Sequence, residues 1–246
     1  MRVTQQMGVF RQPQHTIKWP RLIQGTLIQR YQRFKADVRQ RNGHIVTAHC
    51  PNSGSMLGCS EPGRPVYLSR HNHPKRTLKY TWEMIEMPTS LVGVNTWVPN
   101  RLVKESIIRK KIRPLRGYET IRTEVSYGQN SRIDLLLERA EKRCFVEVKN
   151  CTLVEDSAGY FPDAVTARGL KHLLELQKEL RKGSRCVMLY LVQRMDAKRF
   201  RPADHIDPAY GEELRRAFRN GVEVLVYDVF LDLEGISLNR RLPFEL

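Results

Sequence analysis

No apolar run in this 246-residue chain approaches the roughly 18 residues that a membrane span needs. The opening stretch, MRVTQQMGVFRQPQHTIKWP, has no apolar core of signal-peptide type. The sequence is therefore read as a soluble, cytoplasmic protein with no membrane partner. Cysteine is sparse: Cys50, Cys59, Cys144, Cys151 and Cys186 are the only five. The number is odd and no two are spaced as CxxC, which argues against a disulfide framework or a zinc knuckle. Cys144 and Cys186 sit in apolar runs and read as small core residues.

Acidic residues are scarce in one half of the chain. Residues 1–116 hold 21 Lys and Arg but only Asp37, Glu61, Glu83, Glu86 and Glu105, whereas residues 117–246 hold 21 of each sign. The whole formal charge of +16 thus belongs to the N-terminal half. Such an asymmetry points to a polyanion, nucleic acid or an anionic membrane, and the expected partner is nucleic acid, DNA in the first place, although a basic face kept for solubility has the same composition. Hydrophobic residues make up 41%, enough for a packed core and too many for a disordered chain.

The pattern divides the chain in three. Residues 1–18 are polar and aperiodic and read as a tail. Over 19–96, short strand-like pieces at 25–30, 34–39, 44–49, 66–70, 80–87 and 90–94 alternate with turn signals such as Arg41-Asn42-Gly43 and Pro62-Gly63. Several short strands with frequent turns predict a small basic β-barrel, compatible with an OB-fold. From 97 to 246 the pattern becomes mixed. A helix is expected over 99–111, strands over 120–126, 132–138 and 144–149, and a leucine-striped helix over 165–182. A buried strand over 186–192, a helix opened by Asp207-Pro208 and a last strand over 222–231 complete the order αβββαβαβ. The fold class is thus α+β with two domains, a barrel followed by a mixed α/β unit.

The chemistry concentrates in two of those strands. In Phe145-Val146-Glu147-Val148-Lys149, Val146 and Val148 point one way and Glu147 and Lys149 the other. A hairpin that puts Asp134 of Arg132-Ile133-Asp134 on the second face would gather two carboxylates and an ammonium. Two carboxylates so placed suit Mg2+ or Mn2+, which can lower the pKa of a water and neutralise charge on a scissile phosphate. The lysine can orient the attacking water or stabilise developing charge. The same alternation also describes any half-exposed strand, but its place in an αβββαβ order is that of the PD-(D/E)xK nuclease core. On the following helix Arg168 and His172 are i, i+4 neighbours. Arg168 can hold a phosphate and His172 can relay a proton or orient a carboxylate; a solvent-facing arginine and a core-edge histidine are the plain alternative.

These residues resemble the sugar fermentation stimulation protein family over about 25–221. The match includes Gly25, Arg30, Arg33 and Phe34, the stretch His49-Cys50-Pro51-Asn52-Ser53-Gly54-Ser55-Met56, Gly93-Val94-Asn95-Thr96 with Asn100, Arg132-Ile133-Asp134, Glu147-Val148-Lys149, Phe161-Pro162-Asp163-Ala164 and Arg168-Gly169 with His172. The resemblance implies an N-terminal OB-fold and a C-terminal PD-(D/E)xK nuclease-like domain. It also implies DNA binding and a link to regulation of sugar metabolism, notably that of maltose. It assigns Asp134 and Glu147 as metal ligands and Lys149 as the catalytic lysine, with Glu105 as the acid that the first helix could add.

In the barrel, Arg30, Arg33, Lys75, Arg76 and Lys79 are the candidates for phosphate contact. Phe34 and Trp82 read more naturally as core than as stacking platforms. The leading expectation is a DNA-binding protein with a divalent-metal-dependent phosphodiesterase site. A non-catalytic DNA-binding regulator that keeps the nuclease fold, and an RNA-processing or single-strand-binding module, are the alternatives.

Overall fold

The computed structural model describes residues 15–128 and 131–246. Of the expected tail, residues 1–14 lie outside the described residues. Ile17–Lys18 form a two-residue strand, β1, with Ile17 buried, so the end of the expected tail belongs to the fold.

The barrel follows from period-two alternation and tight turns. Strands β2 (Leu22–Tyr31), β3 (Lys35–Gln40), β4 (Ile45–His49), β5 (Pro65–Arg70) and β6 (Tyr80–Met87) are linked by antiparallel pairings of β2 with β3 and β5, of β3 with β4 and of β5 with β6. A parallel pairing, Ala48↔Tyr80 and His49↔Thr81, joins β4 to β6 and closes the ring. Closure removes the free edges that a flat sheet would expose. Leu27, Val38, Val66, Leu68, Trp82 and Ile85 fill the interior. Gly25 is required where β2 meets β3, because a Cβ there would stand 2.4 Å from Val38 Cγ1 and 2.8 Å from the Arg39 carbonyl oxygen. This is an OB-type barrel, and β7 (Ser90–Gly93) extends it as a hairpin on β6.

Helix α1 (Val98–Ile108) opens the second domain with proline in its first turn, where a missing N–H costs nothing. Its Leu102, Val103 and Ile107 are buried against one face of a seven-stranded sheet. That sheet has the order β1-β16-β15-β13-β10-β9-β8, where β8 is Thr120–Tyr127, β9 Ser131–Arg139, β10 Lys142–Cys151, β13 Arg185–Val192, β15 Glu223–Leu231 and β16 Gly235–Arg241. The β8-β9-β10 part is an antiparallel meander, and β10, β13 and β15 run parallel. The opposite face is covered by α2 (Ala167–Arg181) and α3 (Pro208–Arg219), through Leu173, Leu176, Tyr210 and Leu214. A small sheet joins β11 (Leu153–Glu155) and β12 (Ala158–Phe161), which precede α2, to β14 (Arg199–Pro202), which lies between α2 and α3 in sequence.

Capping fixes where α2 and α3 begin. The Thr166 hydroxyl accepts from Gly169 N at 3.0 Å, and Asp207 accepts from Tyr210 N at 3.1 Å and from Thr166 N at 2.8 Å. One carboxylate thereby ties the two helix starts together. All five cysteines are buried and unpaired. No helix among the described residues is long and apolar enough to cross a membrane.

Two of the places where the domains are stitched bear on the site. Gly93 N donates to the Gln193 carbonyl at 2.9 Å, and Val92 bridges to Arg194. In the second, the barrel loop before β5 reaches over the sheet: Ser55 Oγ donates to the Asp163 carbonyl at 2.5 Å, and Met56 N donates to Asp163 Oδ2 at 2.8 Å.

Candidate nuclease site and basic surface

A cleft of about 760 Å3 lies under that second stitch, walled by the barrel loop around Asn52–Ser55, the start of α1 and the 161–168 segment. Its floor comes from β9 and β10. Their ladder pairs Phe145 with Leu136 and Val146 with Leu135. Continued by one residue, the register sets Glu147 across from Asp134. There the ladder opens: Asp134 Oδ2 accepts from Val148 N at 2.7 Å, and Asp134 Oδ1 accepts from Asn100 Nδ2 of α1 at 2.7 Å.

Glu147 is only 2% exposed. Its Oε1 accepts from Lys149 Nζ at 2.7 Å and is also bonded to His172 Nδ1 of α2. Arg168 Nε donates to His172 Nε2 at 3.4 Å, so the tautomer with its proton on Nδ1 satisfies both ring nitrogens. Lys149 Nζ stands 3.2 Å from the same Nδ1. The other Glu147 oxygen, Oε2, is buried and has no hydrogen-bond partner.

The electrostatics split the two acids. Burial, and next the negative charge of Glu147, push the Asp134 carboxyl up to about 7. Burial works to raise Glu147 as well, but the Lys149 ammonium and the His172 hydrogen bond outweigh it and hold Glu147 below its usual value. Two carboxylates facing each other, one with an orphaned buried oxygen, form a site short of positive charge. A hard divalent cation fits that deficit. Mg2+ needs only one or two protein carboxylates and completes its shell with water and phosphate oxygens. Among the described residues no group of three or more His, Cys, Asp and Glu side chains is gathered as a metal cage.

The structure thus brings Asp134, Glu147, Lys149, Arg168 and His172 together in one cleft. Glu105 is not part of it. It follows Asn100 on α1 by five residues, which is about 140° around the helix, so the same helix cannot aim both into one cleft. Besides Asp134 and Glu147, the cleft is lined by Asp163 and by Glu124 on β8, an acid that sequence reasoning missed. The pairs Thr123↔Leu135 and Val125↔Ile133 set it across from Asp134, so Glu124, Asp134 and Glu147 fall in one row across three strands. Glu124 has φ +53, rare for a residue with a side chain. Neither the register nor the φ could be read before the strands were paired. Asn100 and Asp163 were visible only as matches in the family resemblance, with no role attached.

The barrel residues divide likewise. Arg30 lines the cleft wall but commits its guanidinium to four backbone carbonyls, those of Arg33, Asn52, Gly54 and Ser55 at 2.7 to 3.3 Å. It is a loop clamp rather than a phosphate reader. Arg33, exposed in the β2–β3 turn, lines the cleft. Lys75 and Lys79 are exposed outside it, and Arg76 donates to Thr81 Oγ1 at 3.0 Å. Trp82 is fully buried, whereas Phe34, expected in the core, is 48% exposed.

Comparisons with known proteins agree with this layout. Residues 28–94 match the family model for the SfsA N-terminal OB domain, and residues 97–235 match that for the sugar fermentation stimulation protein RE domain. The chain is 54% identical over 225 residues to the sugar fermentation stimulation protein homolog of Geotalea uraniireducens, covering 92% of this chain and 97% of that one. It is 55% identical over 222 residues to the Geobacter sulfurreducens homolog, covering 90% and 95%. Among solved structures, Pyrococcus furiosus SfsA in complex with Ca2+ superposes with a TM-score of 0.87 at 26% identity, over 95% of this chain and all of that one. With both domain models matched in order and relatives above 50% identical along nearly its whole length, this chain belongs to the sugar fermentation stimulation protein family.

Proposed function

We propose that this protein is a DNA-binding, divalent-metal-dependent phosphodiesterase of PD-(D/E)xK type. The observation that carries the reading is Glu147 Oε2, a buried carboxylate oxygen with no partner, beside an Asp134 whose carboxyl is pushed up to about 7. That is the signature of a cation site. The solved Pyrococcus furiosus relative, obtained in complex with Ca2+, supports the same cation class.

Asp134 and Glu147 would hold Mg2+ or Mn2+, which when bound supplies Lewis acidity at the phosphate and a water of lowered pKa. Asn100 and the Val148 amide keep Asp134 turned toward the cleft. His172 holds Glu147 in one orientation. Lys149, fixed between Glu147 and His172, places its ammonium where a water or a phosphoryl oxygen can be oriented. Arg168 is exposed, and its terminal nitrogens make no hydrogen bond among the described residues, so they are available to a phosphate.

The test is cleavage of labelled DNA and RNA, single- and double-stranded, with Mg2+ or Mn2+, wild type beside Lys149→Ala. Cleavage that the variant loses supports the reading. Binding without cleavage by the wild type would instead make it a non-catalytic DNA-binding regulator. One observation favours that second reading: exposed Lys75 and Lys79 lie outside the cleft and could hold a backbone with no help from the acids.

A further inference from the structure

Trp97 stands at the N-terminus of α1 and is 60% exposed, an unusual placement for the largest apolar side chain. It makes no side-chain cap for the helix. It lines two concavities at once. One is the acidic cleft. The other is a groove of about 450 Å3 on the barrel, shared with His49, Arg76 and Leu78. The His49 ring lies 5.8 Å from the indole, tilted by 37°. Across the cleft Val165 is 77% exposed, and Phe34 follows the cleft-lining Arg33.

We propose that the barrel groove and the cleft form one track for an unpaired nucleic-acid strand, with Trp97 stacking a base at their junction. The inference rests on the nucleic-acid reading above and names the form of polymer the site takes. Three features favour a single strand. An exposed indole offers a π-face, and only an unstacked base can present its own face to it. The groove pairs that aromatic surface with the cation of Arg76, matching the alternation of base and phosphate along one strand. Finally, the carboxylates sit at the floor of a cleft roofed by the contact of Ser55 and Met56 with Asp163, and Glu147 is nearly inaccessible. A single backbone can thread there, whereas a duplex keeps its phosphates on a broad outer rim.

The test uses the full-length protein in EDTA, so that binding is read without cleavage. Oligo-dT and oligo-rU of equal length, and a duplex of the same length, are titrated while tryptophan fluorescence and anisotropy of a labelled end are followed. Of the three tryptophans, Trp82 is fully buried and Trp19 lines neither concavity, so quenching on binding reports Trp97. The expected result is quenching by single strands, tighter binding of single strand than of duplex, and about tenfold weaker single-strand binding in Trp97→Ala. Trp97→Phe should retain most of the affinity while losing the quench, which separates stacking from a folding defect. The oligo-dT and oligo-rU arms tell DNA from RNA. Duplex bound at least as tightly as single strand, with Trp97→Ala unaffected, overturns the track and leaves the phosphodiesterase reading standing. Failure of every nucleic acid to bind overturns both.

Discussion

The barrel and the α/β domain handle charge in opposite ways. In the barrel, Arg33, Lys75 and Lys79 are exposed, while hydrogen bonds hold the half-buried Arg30 and Arg76. In the α/β domain the informative charges are buried: Glu147 is bonded to Lys149 and His172, and Asp134 to Asn100 and the Val148 amide. Exposed charge acts at long range and weakens with salt, so it suits capture of a polyanion. Buried charge acts at short range, and its pKa responds to one neighbour, so it suits chemistry. On the proposed reading the difference separates holding from reacting, and each domain should be breakable without the other.

The largest effect should come from the α/β side. Lys149→Ala should lower the cleavage rate by about 10²–10³-fold while DNA affinity in EDTA changes little. Unchanged cleavage would move the reaction elsewhere. His172→Ala should cost about 10–100-fold, because His172 acts through Glu147 rather than on substrate, and the affinity for Mn2+ should fall by a similar factor. The readout is a Mn2+ titration of activity for wild type and variant. On the barrel side, replacing Lys75, Arg76 and Lys79 together with alanine should weaken DNA binding about tenfold and reduce the slope of log K against log salt by about 2 to 3, leaving the rate at saturating DNA intact. Binding measured across a salt series checks this; an unchanged slope would remove the barrel from the interface.

A separate effect concerns stability. Asp134 has its folded pKa raised to about 7 by burial and Glu147. The folded state therefore binds a proton that the unfolded state releases near pH 4. Without divalent cation, stability should fall as pH rises from about 4 to 7, by at most about 1.4 kcal/mol per pH unit, and level off above. Asp134→Asn should flatten this slope and leave the protein more stable than wild type at pH 8. Thermal unfolding across that range gives the answer, and a wild type whose stability rises with pH there would mean that Asp134 is not under repulsion.

The barrel strands were legible because alternation and turn residues mark them; β2 through β7 fall within a few residues of the expected segments. The same holds for β9, β10, α2 and α3. Strand β14, Arg-Phe-Arg-Pro, was not legible, since proline and two arginines in four residues carry no strand pattern and only its pairing with β12 and the bridge from Phe200 to Phe244 make it one. In the site, Asp134, Glu147 and Lys149 could be singled out because their spacing on two consecutive strands is local information. Glu124 could not, because its place depends on the register of a third strand. Glu105 was misplaced for the complementary reason: it lies on the expected helix, but its angle around that helix depends on the face that Leu102, Val103 and Ile107 bury. Arg30 read as a phosphate ligand because composition does not reveal that a guanidinium is already spent on carbonyls.

The division between a holding barrel and a reacting α/β domain requires that the buried carboxylate pair take a divalent cation by itself. Calorimetric titration of Mn2+ into the DNA-free protein at pH 7.5, wild type beside Glu147→Gln, tests this most directly. The prediction is saturable binding by the wild type that the variant loses, with DNA affinity in EDTA unchanged between the two. Equal Mn2+ binding by both proteins, or none by the wild type, would contradict it.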